Sequence, residues 1–281
     1  MTSEPMLLAA NDVAPASRGI LGADRQALRD AVRELEGPSF IARLSAAAGR
    51  PIEMLGRALP ERATELISEA TAKALRQGLR YIIKTVPRGT KDAETGRHRT
   101  LATLSGAIGG AFGMAAIPIE LPVSTTIMLR AIVRIAQSEG EDLDDPETAL
   151  ACLQVFALAG RTGSVHLHES GYFAVRAALA RSVTEVARQV AQRGVLDESA
   201  SAVIRLISQI GSRFGVAVSQ KVAAQALPVL GALSGAAINA AFTAHFQTMA
   251  RAHFTVRRLE RAHGKAAVRA AYLQIQAEEG F

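Results

Sequence analysis

Apolar residues recur at three- and four-residue spacing over most of the chain, and the alternating Val/Ile/Thr/aromatic runs that build strands are missing. The pattern predicts an all-α protein, a multi-helix bundle with Gly/Ala-rich, closely packed apolar helices. A first helix is predicted from Asp24 to Glu36, because Gly37-Pro38 cannot continue it. Phe40 to Gly49 and Pro51 to Leu59 read as short helices separated by Gly49-Arg50-Pro51. Pro60-Glu61 then opens a longer helix to about Val86, with a proline at its start and acids in its first turn. The polar stretch Pro87 to Arg99 marks the boundary before a more apolar body. The organisation expected is a disordered tail over 1–22, short N-terminal helices over 23–60, a helical domain over 61–275 and a C-terminal tail over 276–281.

Two blocks in that body carry almost no charge. Thr100 to Ile119 has none, and Val222 to Ala250 has His245 as its single ionisable group. A bilayer crossing needs about 20 apolar residues, and both blocks reach that length. Both are poor in Leu, Ile and Phe, however, and Ala and Gly add little to insertion. Buried bundle core is therefore the first reading, ahead of membrane spanning and reversible membrane insertion. The pairs Gly106/Gly110, Gly109/Gly113 and Gly231/Gly235 are each four apart, which places each pair on one helix face and permits close helix–helix approach.

Pro118 and Pro122 flank Glu120, and the residue before a proline is pushed away from helical geometry. The chain is expected to break there and to start a new helix at Pro122, with Thr126, Arg130 and Arg134 along one face. One reading is a buried Glu120–Arg130 pair that holds the break with hydroxyl caps. The other is a site for a lipid headgroup or other anion, lined by Glu120, Thr125, Thr126 and Arg130. The acidic turn that follows, Glu139 to Glu147, lacks the ligand spacing of a calcium loop; Asp145-Pro146-Glu147 reads as the cap and first residues of a helix ending near Gly160.

Other candidate chemistry is sparse. His166, His168 and Glu169 form the most metal-like cluster, yet they sit in a polar loop before Ser170, a natural helix cap, and no metal or other cofactor is expected. The glycines around Gly110 match neither GxGxxG nor GxxxxGK[ST], GxSxG is missing, and Cys152 lies inside an apolar helix. The segment from Ala250 to about Leu273 reads as one amphipathic helix. Arg251, Arg258, Arg261, Lys265 and Arg269 share one side, with Phe254 and Tyr272 as interfacial rings, while Val256, Leu259, Ala266, Ala270 and Leu273 lie opposite. Such a face suits anionic lipid.

Composition narrows the choice of partner. A net charge of +6 over 281 residues fits an anionic surface, but aromatics make up only 4% and Trp is missing, so base stacking has little to work with and nucleic acid is not expected. A single cysteine fits a reducing compartment. Residues 1–15 lack the basic start and apolar core of a secretory signal.

The run IELPVSTTIMLRAIVRIAQSEGEDLDDPETALACLQVFALAG from Ile119 resembles the EcsC family of bacterial proteins. The likeness continues through SGYFAVRAAL from Ser170, resumes at Ala237 to Phe242 and extends to HFTVRRLE ending at Glu260. Glu120-Leu-Pro122, Thr125, Arg130 and Gly140 fit the family pattern, and the resemblance spans roughly Lys73 to Tyr272. It implies a mostly helical cytoplasmic protein with a membrane connection. Because the family takes its name from a gene beside an ABC-transporter pair, it also implies ABC-transporter components as partners; it supplies no catalytic residues. The function expected is a non-enzymatic protein, peripheral at the inner face of the membrane, that binds lipid or assists a transporter. The competing readings are a hydrolase joining Glu120 or His166/His168 to His245 or His253, and a soluble interaction scaffold.

Overall fold

A computed structural model describes residues 20–48, 59–85, 117–160, 171–225 and 235–281. Among them the chain forms nine helices and no strand, as the apolar periodicity predicts. In chain order they are α1 (Gly22–Glu36), α2 (Phe40–Ala48), α3 (Glu61–Thr85), α4 (Ile117–Ser138), α5 (Pro146–Ala159), α6 (Gly171–Arg193), α7 (Ser201–Gln225), α8 (Gly235–His263) and α9 (Lys265–Glu278). The glycine pairs at 106/110 and 109/113, Gly231, residues 51–58 of the short helix expected over 51–59, most of the block at 100–119 and the His166/His168/Glu169 cluster lie outside the described residues.

Helix α5 is the centre. Asp145 caps it, its carboxylate accepting from the backbone N–H groups of Glu147 and Thr148 at 3.3 and 3.0 Å, with Pro146 at the first position. Every residue from Thr148 to Ala159 is buried. Helices α3, α4, α6, α7 and α8 all pack against it. A helix that is apolar on all sides is stable only when it is enclosed on all sides. Phe156 joins this centre to a run of rings: it lies 4.9 Å from Phe214 and 5.4 Å from Phe246, and Phe246 leads through Phe242 to Phe40 on α2.

Small residues set the spacing. Gly160 ends α5 against the backbone of α7, where a Cβ would stand 2.2 Å from the Arg213 carbonyl oxygen. Helices α3 and α7 run antiparallel: Arg80 pairs with Glu198 just ahead of α7, whereas Thr71 faces Gly211 and Gly215 further along it.

Two expectations about helix boundaries are overturned. Helix α4 runs unbroken from Ile117 through both Pro118 and Pro122. Pro118 stands where a helix start leaves its N–H groups unbonded anyway, so Pro122 forfeits a single backbone bond. The buried stripe Leu121, Thr125, Met128, Leu129 and Ile132 keeps the segment helical by packing. The final basic helix is not continuous, because Gly264 adopts φ +86° and separates α8 from α9. That change of phase turns Val268, Tyr272 and Ile275 inward and leaves Ala266, Ala270 and Leu273 exposed, the reverse of the side predicted.

Helix α9 runs on to Glu278, and its end is tied to α1. Arg25 and Arg29 each bind Glu278 at 2.8 Å, and Arg33 binds Glu279 at 2.9 Å. Tyr272 donates to Glu36 at 2.8 Å.

Gly160→Ala should lower unfolding stability by about 1–3 kcal/mol in urea titration, because the added methyl meets rigid backbone. Gly211→Ala, whose Cβ would make ordinary contact with Leu75 at 3.6 Å, should leave stability unchanged or raise it by up to about 1 kcal/mol.

Candidate functional site

Among the described residues, three partly buried polar assemblies around α4, α6, α7 and α8 stand out, and each is built by residues distant in sequence. The first lies where α4 begins, α7 ends and α8 starts. Lys221, buried on α7, places its Nζ 2.7 Å from Glu120 and 5.3 Å from the centre of the Phe242 ring. Glu120 thus pairs with Lys221, which corrects the expected partner Arg130. Thr126 donates to the Pro122 carbonyl at 2.8 Å, while the fully buried Thr125 hydroxyl has no partner among the described residues. Lys221 went unread in the sequence, although it is the one Lys, Arg, Asp or Glu between Arg213 and Arg251, and such isolation is itself a signal of a buried pair.

The second assembly joins the acidic turn to α8. Arg257 holds Glu141 through two bonds of 2.9 and 2.8 Å, and Arg261 binds the same carboxylate. Arg258 takes Glu139 at 2.9 Å and reaches Asp24. Burial works against the charge of Arg257, but the bonds and field of Glu141 outweigh it and raise its pKa. Of the basic face read from the sequence, Arg258 and Arg261 are therefore engaged by the protein's own acids. Arg269 lies over the Phe173 ring at 5.5 Å, and Arg251 and Lys265 are exposed. Phe254 and Tyr272, expected as interfacial rings, are both fully buried.

The third assembly is internal. Arg176 donates to Glu260 at 2.7 and 2.9 Å and to the Tyr172 hydroxyl at 3.2 Å; that hydroxyl lies 3.0 Å from His253 Nδ1. Tyr172 stacks on Tyr272 with ring centres 5.6 Å apart. Burial, aided by the charges of Arg176 and Arg257, pushes the His253 pKa well down. Burial also lowers that of His245, whose Nε2 donates to the Ala159 carbonyl at 3.1 Å and satisfies the end of α5. The Cys152 thiol is pushed up to about 12 by burial and by Glu141, which makes it a core residue rather than a nucleophile. Among the described residues no group of three or more His, Cys, Asp or Glu is arranged to hold a metal.

One surface differs from these closed networks. The outward side of α4 carries Ile119, Val123, Thr126, Ile127, Arg130 and Arg134 within an arc of about 100° at helical spacing. Ile119 is 75% exposed and Val123 44%. Arg130 lies over the Tyr81 ring of α3 at 5.4 Å, and its buried Nε has no hydrogen-bond partner among the described residues. Arg134, one turn further on, is exposed. The sequence placed Thr126, Arg130 and Arg134 on one face; it did not show that Ile119 and Val123 share that face or that Tyr81 backs it.

Residues 24–259 match the profile of the EcsC protein family. The chain belongs to the EcsC family. The match starts near the head of α1, well before the motif-bearing segment that carried the resemblance, and takes in the Glu120–Lys221 pair and the Arg257–Glu141 pair, ending one residue before Glu260. Significant matches are lacking among the curated proteins and among the solved structures. Among the described residues, no helix of this EcsC-family chain is long and apolar enough to cross a membrane.

Two outcomes follow. Lys221→Met should destabilise the protein by about 3–5 kcal/mol, by leaving Glu120 uncompensated, while Lys221→Met with Glu120→Gln should recover much of the loss in the same denaturation assay. The two depressed histidines set a pH dependence. Unfolded histidines protonate near their ordinary value of 6.5, whereas His245 and His253 stay neutral when buried. The unfolded chain therefore binds more protons below that pH, so stability is complete above about pH 6.5 and falls as the pH drops below it, by at most about 1.4 kcal/mol per unit for each histidine. His253→Gln should flatten this slope between pH 7 and pH 5, whatever it does to stability at pH 7.

Proposed function

We propose that this EcsC-family protein is a non-enzymatic, peripheral membrane protein that attaches reversibly to an anionic lipid surface. One observation carries the reading: Ile119 and Val123 stand one turn apart and exposed at the start of α4. Two large aliphatic side chains in water at one helix end are what a membrane-contacting surface needs, since burying each fully contributes about 1.5–3 kcal/mol.

The location of that end supports the reading. The Glu120–Lys221 pair and the Lys221–Phe242 contact draw together the start of α4, the end of α7 and the second turn of α8. The uncharged sequence before Ile119 joins the chain at the first of these, and residues 226–234 connect the other two. The uncharged stretch before Ile119 and the linker 226–234 thus join the described helices at the end that exposes Ile119 and Val123, whereas the rest of the second low-charge block belongs to α8, whose Ile238, Phe242, Phe246 and Met249 are buried. Surfaces of this kind lie on the bilayer rather than across it, with apolar side chains entering the headgroup–acyl boundary.

The hydrolase alternative loses its bases. His253 is closed against Tyr172 with no exposed surface, and His245 is committed to the end of α5. An inner-leaflet location and an association with transporter components follow from the family resemblance and belong to the same proposal.

Flotation of the full chain with vesicles is the test. Vesicles of phosphatidylcholine with about one third phosphatidylglycerol should carry the protein upward at low salt. Ile119→Asp with Val123→Asp should leave it at the bottom of the gradient with an unchanged circular dichroism melt. A wild-type chain that stays in the soluble fraction with every vesicle composition would sink the proposal.

A further inference from the structure

We infer that Arg130 and Arg134 form the phosphate-binding element of that surface, taking the headgroup phosphates of anionic phospholipid while Ile119 and Val123 enter the apolar layer. The inference rests on the membrane reading above and goes beyond it by naming the residues that contact the headgroup and the group they bind.

Position along the helix is the first argument. At a rise of about 1.5 Å per residue, Arg130 lies about 16 Å and Arg134 about 22 Å from Ile119 along the axis of α4. The face therefore changes from aliphatic to cationic in the direction that leads out of the bilayer. A tilted α4 brings those arginines to phosphate level while the aliphatic pair sits about 5–10 Å into the boundary region.

The state of the arginines is the second. The α8 arginines Arg257, Arg258 and Arg261 are each bound by a carboxylate within 3 Å, so their charge is largely neutralised within the protein. Neither Arg130 nor Arg134 has an ion pair among the described residues, and the nearest acid on α4, Glu120, is bound to Lys221. Arg130 is also held in place. Its guanidinium rests over Tyr81 and its Nε is buried, so any anion it takes is bound through the two terminal nitrogens. A guanidinium fixed by an aromatic ring offers the bidentate geometry that phosphate oxygens accept, which a lysine at the same place does not. Tyr81 contributes an amphipathic ring of the kind enriched at membrane interfaces.

Binding of the full-length protein to phosphatidylglycerol-containing vesicles, read by co-sedimentation across a lipid titration, tests this. Arg130→Gln and Arg134→Gln should each weaken binding about fivefold, and the pair about thirtyfold, with a shallower salt dependence. Arg130→Lys should recover only part of the loss, because the charge returns without the fork. The paired control Arg251→Gln/Lys265→Gln removes two exposed cations elsewhere and should change binding less than twofold. Equal losses from that control would reduce the effect to net charge and overturn the inference. So would wild-type affinity in the Arg130/Arg134 double variant while Ile119→Asp/Val123→Asp still abolishes binding, a result that leaves the membrane reading intact. Release from vesicles by millimolar inorganic phosphate at constant ionic strength would also overturn it, in favour of a free-anion site.

Discussion

The enclosure of α5 is the constraint from which the rest of the molecule follows. Twelve consecutive residues, Thr148 to Ala159, are removed from water, and no side of the helix is left polar. Five helices must surround it, and their approach is limited by the smallest groups at the contacts. Gly160 permits backbone contact with α7, and Gly78 admits Leu129 and Leu153. Burial on this scale requires that polar atoms at the ends of α5 be satisfied from within the protein. Asp145 does this at one end and His245 at the other. The same turn that caps α5 supplies Glu139 and Glu141, so the position of α8 is fixed through the entry of the central helix.

Local signals were legible in the sequence where the responsible residues are neighbours. The start of α3 at Glu61, the end of α1 before Gly37-Pro38, the Asp145 cap and the stop of α5 at Gly160 were all readable, because caps, prolines and glycines act within a few residues. The break at Gly264 lay inside a pattern that a continuous helix fitted equally well, since apolar residues on both sides of the predicted stripe hide a phase change. Pro122 misled for the opposite reason: a local preference against helix was overridden by the packing of Leu121, Met128 and Leu129. The partners of charged groups were beyond reach. Glu120 finds Lys221 across 101 positions and Arg257 finds Glu141 across 116, and no spacing rule pairs residues that far apart.

This pairing alters the meaning of the basic character of the chain. Net charge describes a total, whereas a membrane responds to cations that are not already neutralised. Of the basic face that looked strongest in sequence, Arg258 and Arg261 are bound to Glu139 and Glu141, beside Arg257, which was not read as part of it, and α1 commits Arg25, Arg29 and Arg33 to the end of α9. On α4 the order is reversed. Its carboxylate is bound inside by Lys221, and its arginines remain on the outside. The ion pair at Glu120 thus has an electrostatic consequence for the surface as well as a structural one for the core, since a free carboxylate at the head of α4 would oppose any anionic partner of the same helix.

Magnitudes then decide what kind of attachment this face can provide. Ile119 and Val123, only partly exposed, contribute together about 2–3 kcal/mol if fully buried in lipid. Two arginines near an anionic surface add about 2 kcal/mol at physiological salt. The sum of about 4–5 kcal/mol corresponds to a dissociation constant in the high-micromolar to millimolar range. An element of that strength holds a protein at a membrane only in combination with a second contact, or only while the surface charge is high. On the membrane reading proposed above, attachment of this strength is reversible, because a few kcal/mol lies far below the effectively irreversible hold of an anchored protein.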